Sequence, residues 1–169
     1  MSPDLIFLMH LVLGYVAWLL CFGAYIWPWL KSMDPVSAQR AIATLHSFRF
    51  FGLVFILPGV VGNLPAGFAP FAAYLDFATG LLAMLALLTI RIRPLFWTFV
   101  VAVNLVGAGD IIVDYYHATA LGLPAMAGQL GAAYAIPILY VPLLMITHGV
   151  AFYLLARSRK RLSPSAVSP

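Results

Sequence analysis

Too few charged side chains are present in this chain to cover a water-soluble core. Charged residues are 8% of its 169 residues, against 64% hydrophobic, and the mean hydropathy is +1.02. A soluble domain carries roughly 25% charged residues. That shortage excludes a soluble globular enzyme, a disordered segment, a coiled coil and a nucleic-acid binder. What is left is an all-α, polytopic membrane protein whose first partner is the lipid bilayer.

A crossing helix needs about 20 apolar residues. Five runs qualify, at about 5–30, 41–61, 71–90, 95–117 and 133–156. The first has no basic n-region and no small-residue cleavage site, so it reads as a retained helix. Asp34-Pro35 is an N-cap and first-turn pair, so the second helix starts there, with its first turns among the headgroups. Pro58-Gly59 kinks or ends it. Asn63 to Gly67 and Leu123 to Ala125 are turn signals, and Pro94 forces a tight turn after Arg91 and Arg93. The expected organisation is one transmembrane domain over 1–161 with a disordered tail at 162–169. Cys21, the single cysteine, excludes an internal disulfide and reads as a buried, inert thiol.

All nine Lys and Arg residues fall on one side of this five-helix parse. Lys31, Arg40 and Arg49 lie near the facing ends of spans one and two. Arg91 and Arg93 separate spans three and four, and Arg157, Arg159, Lys160 and Arg161 follow span five. The positive-inside rule then places the N-terminus outside and the C-terminus in the cytoplasm. Compactness and short loops point to the inner membrane of a bacterium. Arg49 reads as an interface anchor that snorkels to lipid phosphate, with His46 on the same face.

Glutamate is absent, and the acids are Asp4, Asp34, Asp76, Asp110 and Asp114. Ionisable groups within spans are costly and face the bundle interior. At 1.5 Å of rise per residue, His10 and Asp76 lie about 8 Å and Asp110 roughly 10 Å from the outer ends of their spans. Gly107, Asp110, Asp114 and His117 form one stripe on span four. Small residues follow His10 on span one and Asp76 on span three, where neighbouring helices can approach closely. The expected site is an outward-facing polar pocket that binds a small or lipid-like ligand, a metal ion or protons.

Several chemistries fit such a pocket. Asp76, Asp110 and His10 are the candidate catalytic set for acid–base or metal-assisted work on a lipid-like substrate. His10, Asp76, Asp110, Asp114 and His117 supply ligands for a divalent metal, although no local metal-binding spacing is present. The stretch Met9 to Trp18 resembles the first helices of small haem-binding membrane proteins over that one helix. The four histidines, His10 and His117 in the outer half and His46 and His148 in the inner, also permit a b-type haem, with His10, His46 and His148 as the axial candidates. A further alternative is an accessory subunit of a membrane complex, or a homodimer, whose polar residues fix helix contacts.

The parse is tested by reporters. A fusion after Pro169 is expected to be active only in the cytoplasm, and insertions near Gly67 or Gly122 only outside. A cytoplasmic signal from either loop would sink the five-span arrangement.

Overall fold

The computed structural model describes residues 1–162 and is 86% helical, with no strand among the described residues. Helix α1 runs Pro3–Ser32, and α2 runs Pro35–His46 and continues as a 3-10 helix over Ser47–Ile56. Helix α3 is Ala69–Leu88 and α4 is Arg93–Ala120. A 3-10 segment, Leu123–Tyr134, leads to a π turn at Ile136–Tyr140 and then to α5, Val141–Leu162. Residues 163–169 of the expected disordered tail lie outside the described residues, and Leu162 ends α5.

Four helices are long and apolar enough to cross a membrane: Pro3–Ser32, Ala69–Leu88, Arg93–Ala120 and Ile136–Arg157. The second expected span differs from its sequence reading. It is not one α-helix to Val61 but an α-helix joined to a 3-10 helix that ends at Ile56, with Gly59 at φ +82° turning the chain. Its start agrees with the sequence. Asp34 accepts hydrogen bonds from the amides of Val36 and Ser37 at 3.0 and 3.2 Å and from the Ser37 hydroxyl at 2.5 Å. The Ser37 hydroxyl and amide hold the Asp34 carboxyl below the usual carboxylate range.

Two prolines account for the two π turns. Pro28 has no N–H for the carbonyl of Ala24, and the turn Phe22–Ile26 widens just before it. Pro142 likewise leaves the carbonyl of Ile138 unserved, within the π turn Ile136–Tyr140. Gly14 of α1 lies against that carbonyl, where a Cβ would collide with it. Trp18 of α1 donates to the neighbouring carbonyl of Leu139 at 2.7 Å. Helix α1 is thereby fastened to the start of α5.

The rest of the bundle closes around the 3-10 segment Ser47–Ile56, which lies along α3. Glycines permit the approach. A Cβ on Gly80 of α3 would sit 2.8 Å from the Phe50 amide nitrogen, and a Cβ on Gly52 would overlap the Asp76 side chain. Gly80→Ala must therefore push backbone apart, at a cost of about 1–3 kcal/mol. Gly109 on α4 has open space, so Gly109→Ala should be neutral or stabilising by up to about 1 kcal/mol. Thermal unfolding of the two variants in detergent checks the contrast, and equal melting temperatures would contradict the close approach.

Candidate functional site

The long reach of Arg49 brings four helical segments to one point. Arg49 follows His46 by three residues, so both project from the same side of the α2-to-3-10 junction. The side chain is 1% exposed. Its Nε donates to Asp76 Oδ1 of α3 at 2.6 Å, and Nη2 donates to Asp110 Oδ2 of α4 at 2.5 Å. Nη1 donates to the Gly107 carbonyl at 3.1 Å and faces His148 Nε2 of α5 at 3.4 Å. A side chain at Gly107 would have no room, because its Cβ would lie 2.6 Å from both Arg49 Nη1 and His148 Nε2.

Arg49 is thus not the snorkelling anchor that its position near a basic loop suggests. Two carboxylates inside the bundle stabilise its charge more than one exposed phosphate contact would. The depths shift accordingly. Helix α4 extends to Ala120, so Asp110 lies about 15 Å from its end, and Asp76 lies about 10 Å from the start of α3. The site is nearer mid-bundle than the outer-layer estimate.

A neutral polar network continues beneath the guanidinium. Arginine has no acceptor, so His148 Nε2 must accept and its Nδ1 must carry the proton. Nδ1 accordingly donates to Asn104 Oδ1 at 2.9 Å, and Asn104 Nδ2 donates to the Val100 carbonyl at 2.8 Å. The His46 ring stacks on His148 with centroids 4.1 Å apart. Thr147 gives its one hydroxyl proton to a backbone carbonyl, so its oxygen accepts from His46 Nε2 at 3.1 Å. Among the described residues, Asp110 Oδ1, Asp114 Oδ1 and His46 Nδ1 are buried atoms without a hydrogen-bond partner.

Above the guanidinium lies a cavity of about 350 Å³, within the usual size range of ligand pockets. Arg49, Asp76 and Asp114 form its polar end. Leu8 and Leu11 of α1, with Ile111 and Ala118 of α4, form apolar walls. The Tyr15 and Tyr115 hydroxyls share a hydrogen bond of 2.8 Å that ties α1 to α4. Asp4, Thr119 and Pro124 line the opposite end, beside the N-terminus of α1.

The expected site residues divide. Asp76 and Asp110 meet through Arg49, and Asp114 faces the cavity beside them. His10 does not join them: its Nδ1 is hydrogen-bonded to the Tyr134 hydroxyl at 2.9 Å, and it is exposed. His117 packs edge-on against Phe71, ring centroids 4.9 Å apart, and is not among the cavity's lining residues. The catalytic set Asp76, Asp110 and His10 is therefore not assembled. The metal set His10, Asp76, Asp110, Asp114 and His117 is not gathered either. No group of three or more His, Cys, Asp or Glu that could hold a metal ion occurs among the described residues. The haem ligands do not fit: His46 and His148 touch ring to ring, with no space for a macrocycle between them, and His10 lies elsewhere. The sequence did hold a signal for Arg49, since two mid-span aspartates require a cation and Arg49 is the one basic residue well inside a span. Asn104 and Tyr115 carried no comparable signal.

The chain belongs to a family described as a domain of unknown function, DUF8737, which it matches over residues 6–156. No curated protein and no solved structure matches it.

Removing the guanidinium leaves two buried carboxylates facing each other. Arg49→Met should cost about 3–5 kcal/mol of stability, the usual penalty for breaking a buried ion pair from one side. Adding Asp76→Asn and Asp110→Asn should restore much of it. Denaturant unfolding in detergent measures both, and a triple variant less stable than the single would contradict the ion-pair account.

Proposed function

We propose that this protein crosses a bacterial inner membrane five times and binds a small, lipid-like ligand in the cavity between α1 and α4. The observation that carries the reading is the cavity's composition: apolar walls ending on Arg49, Asp76 and Asp114. An amphiphile can lay its body along Leu8, Leu11 and Ile111 and set its head at the charged end. Pockets that combine apolar walls with a few convergent polar groups are the usual form of small-molecule sites.

The fifth crossing is α2 with its 3-10 continuation. Twelve α-helical and ten 3-10 residues together rise about 38 Å, enough for the hydrocarbon layer. With Arg49 engaged inside, eight of the nine basic residues remain to set orientation. All eight fall on one side of the five-crossing arrangement, supporting an outer N-terminus and a cytoplasmic C-terminus. The cavity then opens toward the outer side, where Asp4 and Thr119 lie.

A photoreactive dodecanol, an uncharged amphiphile, tests the site with the full chain in nanodiscs. It is expected to label Leu8 or Ile111. Ala118→Trp, which fills the cavity, should remove that labelling while the protein still elutes as a single species. Equal labelling of the variant, or labelling confined to outward-facing residues such as Leu105, would overturn the reading.

A further inference from the structure

At the polar end of the cavity acidic side chains outnumber basic ones, and the excess bears on what the cavity holds. Among the described residues Arg49 is the only basic one lining it, and it is already paired. Two ion pairs join it to Asp76 and Asp110, and its third nitrogen serves the Gly107 carbonyl. Asp114 lies one helical turn beyond Asp110 on α4 and also lines the cavity. It is in neither ion pair, and its Oδ1 is buried without a partner. Asp110, 3% exposed, has a second buried, unpartnered oxygen beside it. At the opposite end the charged residue is again an acid, Asp4. At the Arg49 end the lining carboxylates are therefore Asp76 and Asp114, with Asp110 behind.

Resting on the cavity reading above, we infer that the site selects a cationic amphiphile: an apolar body carrying a protonated amine head, held by Asp114 at the charged end. An ammonium brings up to three N–H donors and no acceptor. It matches an end in which buried carboxylate oxygens lack donors. A charge-assisted bond to a carboxylate is roughly twice as strong as a neutral one. A carboxylate or phosphate head would meet Asp114 with like charge, and Arg49 has little left to offer it. A hydroxyl head brings one donor and no charge. The apolar walls take the body in each case, so the head alone decides the order.

The test uses three photoreactive probes of one chain length, a dodecylamine, a dodecanol and a dodecanoate, on the full chain in phosphatidylcholine nanodiscs. The amine is expected to label cavity residues about tenfold more strongly than the alcohol, which corresponds to about 1.4 kcal/mol. The carboxylate is expected to label least. Asp114→Asn should bring the amine-to-alcohol ratio down to about one, while Asp114→Glu, which keeps the charge, should retain a preference for the amine. On the wild-type protein alone, an amine no better than the alcohol, or a preferred carboxylate, overturns the inference and leaves the cavity reading standing. An unchanged ratio in Asp114→Asn also overturns it. Failure of all three probes to label the cavity would instead remove the ligand site itself.

Discussion

A guanidinium taken out of water must be surrounded by acceptors, and nearly everything inside this bundle follows from that demand at Arg49. Two carboxylates, one backbone carbonyl and one imidazole nitrogen meet it, and they come from three different helices. Arginine's flat, forked geometry suits it to bridge two carboxylates at once, which a lysine could not do with fixed directions. Each partner then constrains its own helix. Asp76 and Asp110 set the depth and rotation of α3 and α4, and His148 sets those of α5. A buried ion pair contributes little net stability against an apolar alternative, but an unpaired one is very costly. The cluster thus penalises wrong arrangements more than it strengthens the right one.

The backbone is shaped to let this happen. The α-to-3-10 change at His46 and Ser47 stretches the chain just where Arg49 must reach inward, because a 3-10 helix rises about 2.0 Å per residue rather than 1.5 Å. Gly52, Gly80 and Gly107 are the positions where helix surfaces or the guanidinium come too close for a Cβ. Beneath the guanidinium, the tautomers of His148 and His46 are dictated in turn by Arg49 and by Thr147. The inner part of the cluster is a hydrogen-bonded floor whose polar groups are largely spoken for.

The opposite side of the cluster is unfinished in a different way. Helix α1 is drawn toward α5 by Gly14 and Trp18, at carbonyls exposed by a proline-induced π turn. It meets α4 at the hydroxyl pair of Tyr15 and Tyr115. The space left between them is apolar along its length and carries Arg49, Asp76 and Asp114 at its end. Asp76 and Asp114 line that end beside the single guanidinium of Arg49, an acidic excess that a cavity walled only by leucine and alanine would lack.

Composition alone determined that this chain is a helical membrane protein, because nothing else can bury so much apolar surface with so few charges. Local chemistry also determined the helix start at Pro35, through the Asp34 cap, and the turns at Pro58-Gly59 and Pro94. The stripe Gly107, Asp110 and Asp114 was legible as one face of a helix, and two of its acids do stand at the site. Which residues meet across helices was not legible. Periodicity states which way a side chain faces on its own helix, and says nothing of the height at which a neighbour passes. His10 and Asp76 had matching depths on paper yet lie apart, since α1 is held against Tyr134 and α5. Arg49 and Asp110 were assigned to opposite halves, yet they touch. The long arginine side chain on a stretched helix can span the difference, and only the tertiary structure decided that it does.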